Sequence, residues 1–160
     1  FQELLTMSKL RDRDFNLWIK KTIQQLEQGA YEFLDIQGLI EELQDLGKSE
    51  KRALESNLMI LLAHLLKLTV QEDAPETMKR SWYSSVIEHR KRIEKQLKST
   101  PSLKSDLNSV LESAYEDGRE IAIQEGQLAS FGVRIHPESD YPETCPFTAE
   151  EILNKNFFGK

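Results

Sequence analysis

The sequence predicts an all-α fold: a helical bundle of five main helices around a central apolar helix, with a short C-terminal helix after a long loop. Three observations predict it. Apolar residues recur at spacings of three and four over most of the chain, the period of a helix buried on one side. Residues 53–70 carry this furthest. Leu54, Leu58, Leu61, Leu65 and Leu68 form one stripe, and Met59, Leu62 and Leu66 widen it until the segment is apolar nearly all round. Such a helix belongs in the middle of a bundle. Finally, the prolines fall at or beyond the ends of the periodic stretches, where they start or stop helices without interrupting them.

Composition bounds the class. The chain has 160 residues, enough for one domain with a real core, and residues 9–160 are read as a single helical domain. Apolar residues make up 39% and charged residues 30%, which excludes a disordered chain. A net charge of −6 disfavours a general binder of polyanions. The single cysteine, Cys145, excludes an intrachain disulfide framework and a cysteine-cluster metal site, and it fits a reducing cytoplasm. Residues 1–10 lack the basic region and apolar run of a secretory signal. Phe1-Gln2 reads as the tail of a protease-cleavage tag, with Met7 near the native start, so residues 1–8 are expected to be a tag remnant or a disordered start outside the domain. A membrane span needs roughly 20 predominantly apolar residues. The unbroken run from Leu58 to Leu66 is shorter and contains His64, so a buried helix is expected and no membrane partner.

Taken in order, the first helix is expected from about Arg11 to Gln28. Phe15, Trp18, Ile19, Ile23 and Leu26 lie on one face, and Gly29 follows the helix end. Asp35 is placed as an N-cap, after which Ile36, Leu39, Ile40, Leu43 and Leu46 form a stripe. Gly47-Lys48-Ser49 is read as a short break before the central helix. Asp73-Ala74-Pro75 is turn chemistry. The fourth helix runs from Glu76 or Thr77 to Lys98 with Trp82, Val86, His89, Ile93 and Leu97 inward. Thr100-Pro101 opens the fifth as N-cap and first helical position. Its small residues Ala114, Gly118 and Ala122, spaced by four, predict a seam where another helix comes close. Residues 126–147 hold three of the five prolines and no helical period, so a long loop is expected, with a short extended piece at Phe131, Val133 and Ile135. Thr148 and Glu151 spell a capping box for the last helix, and Phe157 and Phe158 anchor the end.

Several motifs stand in a familiar order. They are Asp14-Phe15-x-x-Trp18, Glu41-Glu42-Leu43, Leu46-Gly47-Lys48-Ser49-Glu50, Leu61-Leu62-Ala63-His64-Leu65-Leu66-Lys67, Ser81-Trp82, Pro101-Ser102-Leu103, Ala114-Tyr115 and Cys145-Pro146-Phe147. Together they resemble the bacterial, largely cyanobacterial, domain-of-unknown-function family numbered twenty-nine, from about Asp14 to Phe158. The resemblance implies an all-α fold and a bacterial cytoplasmic protein. It brings no activity, cofactor or site residue with it.

Few residues carry the pattern of a known chemistry. A di-iron bundle needs Glu-x-x-His on two helices, but Leu61, Val86 and Val133 stand three residues before the histidines. No zinc-protease motif, phosphate loop, dinucleotide fingerprint or hydrolase elbow occurs. His64 is the most pointed residue. Its sharp reading is a general base, or a metal ligand paired with His89, in a metal-binding or hydrolytic helical protein. The plainer reading, a neutral histidine bonded to a backbone carbonyl or an acidic side chain, is preferred because buried polar groups are normally satisfied. Cys145 lacks a nameable activating partner and reads as a passive thiol.

The helix over 76–98 is the basic element. Lys79, Arg80, Arg90, Lys91, Arg92 and Lys95, with Trp82 and Tyr83, form a possible partner surface. Nucleic acid is the sharp reading of that surface. Pairing with the acidic stretches 27–50 and 106–125 is the preferred one. The expectation is therefore a non-enzymatic protein-interaction module with no cofactor, meeting an unknown protein partner or a second copy of itself.

Overall fold

The computed structural model describes residues 2–128 and 134–160. Its helices are α1 (Gln2–Arg13), α2 (Phe15–Glu27), α3 (Ile36–Val70), α4 (Glu76–Ser99), α5 (Leu107–Leu128) and α6 (Ala149–Leu153). Short 3-10 turns occupy Tyr31–Phe33, Pro101–Asp106 and Glu138–Asp140. No strand occurs among the described residues, so the all-α class holds. The chain divides into two compact units, Phe1–Ser49 and Glu50–Lys160.

In the first unit the expected helix from Arg11 to Gln28 is two helices. The Asp14 carboxylate accepts from the Leu17 N–H at 3.1 Å and caps α2 at its start. Aspartate competes with the backbone inside a helix and satisfies it at an N-terminus, so the chain breaks at this residue. The other end of α2 is as expected. Gly29 has φ 71°, the Ala30 N–H donates to the Gln25 carbonyl at 2.9 Å, and the Gly29 N–H donates to Leu26 at 3.2 Å. These are the paired bonds of a Schellman end. Asp35 caps α3 through the Gly38 N–H at 3.0 Å, also as expected. The break expected at Gly47-Lys48-Ser49 is absent, and α3 runs unbroken for 35 residues. A glycine inside a helix costs only about 1 kcal/mol, whereas a break strands four N–H and four C=O groups.

The second unit holds the core. Leu54, Leu58, Leu61, Leu62, Leu65 and Leu66 of α3 have no exposed surface. They pack with Val86 and Ile93 of α4, Leu111, Ala114 and Tyr115 of α5, and Ile152 of α6. By length and composition α3 is a described helix apolar enough to cross a membrane. Its leucines from Leu54 to Leu68 are covered by protein, as in the core helix of a bundle.

The chain enters α5 through the 3-10 turn Pro101–Asp106, with Pro101 at its first position; the Thr100 side chain makes no cap bond. The long loop is shorter than expected, because α5 continues to Leu128. Phe131 and Val133 lie outside the described residues, and Ile135 is exposed. The rest of the loop is tied down. The Tyr115 hydroxyl donates to the Pro142 carbonyl, Arg119 donates to the same carbonyl at 3.0 Å, and Gln71 donates to the Tyr141 hydroxyl at 2.8 Å. The capping box of α6 forms as expected, with Glu151 N–H to Thr148 Oγ1 at 3.2 Å and Thr148 N–H to Glu151 Oε1 at 3.0 Å.

Candidate functional site

Three places have the residues for a function: the histidine cluster, the cationic helix and the face of the first unit. The histidines meet across α3 and α4. His64 Nδ1 lies 2.8 Å from the Ile60 carbonyl, and His89 Nδ1 lies 2.9 Å from the Ser85 carbonyl. A carbonyl only accepts, so each Nδ1 carries the proton. The Ser85 hydroxyl sits between the rings, 3.2 Å from His64 Nδ1 and 3.3 Å from His89 Nδ1. It therefore faces the protonated nitrogen of both rings, whereas activation of a nucleophile needs a basic nitrogen there. Burial pushes the His64 pKa down, with smaller contributions from Lys67 and His89 in the same direction; the bond to Ile60 opposes them.

Lys67, one turn on from His64, is buried. Its ammonium lies 5.7 Å from the Trp82 ring centroid and pairs with Glu125, and burial lowers its pKa to about 8. The cluster thus sets one cation, Lys67, near two imidazoles whose Nδ1 atoms are donors. Among the described residues no group of three or more His, Cys, Asp and Glu side chains is placed to hold a metal ion. Cys145 is partly buried, its thiol pKa is pushed up by burial, and its Sγ–H donates to the Phe147 carbonyl at 3.4 Å. That setting keeps it protonated, not activated.

The basic surface of α4 is smaller than the sequence implied. Arg90 is 3% exposed and Trp82 6%, so both belong to the interior. Arg90 donates to the Ile152 carbonyl at 2.6 Å and the Phe157 carbonyl at 2.7 Å, and lies over the Phe158 ring. Trp82 belongs to the core cluster. Lys79 bonds the Glu72 carbonyl and pairs with Glu76, while Arg92 pairs with Glu88 on its own helix. These pairs are local, in place of the expected pairing with the stretches 27–50 and 106–125. Arg80, Tyr83, Lys91, Arg92 and Lys95 remain on the surface.

The first unit presents an apolar face that periodicity alone reads as core. From α2, Phe15, Ile19, Ile23 and Leu26 are 36–49% exposed. From the start of α3, Ile36, Ile40, Leu43 and Leu46 are 43–64% exposed. Between the two helices runs a groove of about 360 Å³. Trp18 and Thr22, both buried, are among its lining residues. Trp18 is stacked between Phe15, at 5.7 Å, and the Arg11 guanidinium, at 5.8 Å. Arg11 in turn bonds Glu41 at 2.5 Å and Glu42 at 2.8 and 3.0 Å, which keeps its pKa raised and that of Glu41 lowered. The frame of the groove is therefore braced, while its apolar rim stays open.

The fold and these surfaces define a small all-helical protein with a covered polar cluster and an open apolar face. The chain belongs to the family described as domain of unknown function DUF29, which matches residues 10–158. No curated protein and no solved structure shows a significant match.

Proposed function

We propose that the protein is a non-enzymatic protein-interaction module that works through the apolar face of its first unit. One observation carries this reading: six large apolar side chains, Phe15, Ile19, Ile23 and Leu26 of α2 with Leu43 and Leu46 of α3, stand open around a groove. Monomeric proteins rarely leave contiguous apolar patches of that size exposed, and such patches mark sites of association. The histidine cluster supports nucleophilic catalysis less well, because the Ser85 hydroxyl faces the protonated Nδ1 of both rings and not a basic nitrogen. The nucleic-acid reading loses Trp82, one of its two aromatic rings, and the cation Arg90 to the interior. A bacterial cytoplasm is the proposed setting, in keeping with the single free cysteine.

The test is affinity purification of the tagged chain from its native host beside the double variant Leu43→Glu/Leu46→Glu. Both leucines are 64% exposed, so the variant is expected to keep its stability. A protein, this chain included, held by the wild type and lost by the variant is the expected result. Equal retention by both, or none by either, counts against the reading.

A further inference from the structure

We propose that the occupant of the open face is a second copy of this chain. α2 of one copy lies along residues 36–49 of the other, and the two helix pairs close into a four-helix bundle. The proposal rests on the interaction-module reading and names its partner.

The first unit is half a core. Among its described residues, Met7, Trp18 and Leu34 are the buried apolar side chains, against six left open around one groove. A unit of this size rarely gains enough stability from its own core, and association is one of the usual remedies. The second unit shows the opposite balance: the leucines of α3 from Leu54 to Leu66 are fully covered and belong to one core cluster. The open face therefore marks missing cover for the first unit.

Spacing, area and charge indicate what that cover is. On α2 the open side chains Phe15, Ile19, Ile23 and Leu26 are spaced four, four and three apart; on α3, Leu39, Leu43 and Leu46 at the groove are spaced four and three apart. These are the seam spacings of helices that pack side by side at a shallow angle. Each helix of the pair thus carries a strip that fits the other's, as a two-fold interface requires. The exposed apolar side chains that line the groove amount to on the order of 500 Å², at the upper end of the largest patch of a typical monomer and a large part of the ~800 Å² per partner of a standard interface.

Charge points the same way. α2 bears Lys20 and Lys21 against one carboxylate, Glu27, whereas residues 36–49 bear Glu41, Glu42 and Asp45 against one cation, Lys48. Glu41 and Glu42 are partly spent on Arg11, and Asp45 is exposed. Setting α2 of one copy against residues 36–49 of the other brings together segments of opposite net charge, which favours encounter.

The test is sedimentation equilibrium of the full chain from low to high micromolar concentration. It is run beside Leu43→Glu/Leu46→Glu and, on the other helix, Ile23→Lys, with helicity and melting measured for each. A wild-type dimer whose dissociation constant rises at least ~100-fold in either folded variant, and which weakens with salt, supports the proposal. A dimer untouched by both variants overturns it and places the contact elsewhere. A wild-type monomer also overturns it. Amide exchange then separates the two readings. Protection of α2 and residues 36–49 in host extract leaves the interaction module standing with a different protein as occupant, and no protection removes that reading too.

Discussion

Gly118 of α5 lies against Met59 of α3 so closely that a Cβ there would stand 2.7 Å from the Met59 carbonyl oxygen and 3.3 Å from the Ala63 nitrogen. The neighbours at that point are backbone atoms, which cannot swing aside. Gly118→Ala is therefore expected to destabilise the second unit by about 1–3 kcal/mol, the usual cost of overpacking. Urea denaturation reads this as a lower midpoint at unchanged slope. An unaltered midpoint would show that α5 has room to move away.

Arg90 holds the C-terminal segment from inside. Its side chain bridges the Ile152 and Phe157 carbonyls, and its surroundings press the guanidinium pKa down through burial, with Glu94 opposing. Arg90→Met is expected to lose roughly 1.5–3 kcal/mol, the value of hydrogen bonds to a charged group. Arg90→Lys should recover little, because an ammonium lacks the planar fork that spans two acceptors. Hydrogen exchange checks the location: amides of residues 149–158 should open first. Uniform opening would contradict a local clamp.

Lys67 makes stability depend on alkaline pH. Its folded pKa of about 8 lies below the unfolded value of about 10.4. The unfolded chain binds more protons in that window, so stability rises as pH goes from 8 towards 10. The gain is roughly 1–3 kcal/mol at 1.36 kcal/mol per pKa unit. Tyr115, pushed up to about 12 by burial, acts in the opposite direction above pH 10 or so. Lys67→Met is expected to raise stability at neutral pH, since an apolar replacement escapes the desolvation penalty. It should also flatten the rise between pH 8 and 10. A rise that survives in the variant would assign it to another group.

His64 governs the other limb. Its pKa is depressed in the folded protein, so the unfolded chain takes up a proton first on acidification, and stability falls below about pH 6.5. His64→Ala is expected to cost about 1 kcal/mol at pH 7 and to make the profile shallower between pH 7 and 5. Thermal melts across that range measure both. A profile identical to wild type would mean that the imidazole is not desolvated.

Much of the fold could be read from local chemistry. Asp35 and Thr148 act within three residues of themselves, so their caps follow from sequence alone. Gly29 ends α2 because its left-handed backbone suits a residue without a Cβ. The small residues Ala114, Gly118 and Ala122 announced a close helix contact, and Gly118 makes it. The open face was harder to recognise. Residues 15–26 and 36–46 have the periodicity of core stripes, and periodicity says which side of a helix is apolar, not what covers it. A usable signal was present in the coiled-coil spacing of both stripes within so short a stretch, where little chain remains to cover them.

The sequence by itself determined the helical class, the central leucine helix, the caps and the family, because each depends on neighbours a few residues apart or on an ordered set of motifs. Tertiary structure decided the rest. It kept Gly47-Lys48-Ser49 helical, turned Arg90 and Trp82 inward, and left the stripes of α2 and early α3 uncovered. Burial is a property of what arrives from elsewhere in the chain. A side chain's own spacing can prepare it for a partner surface but cannot supply one.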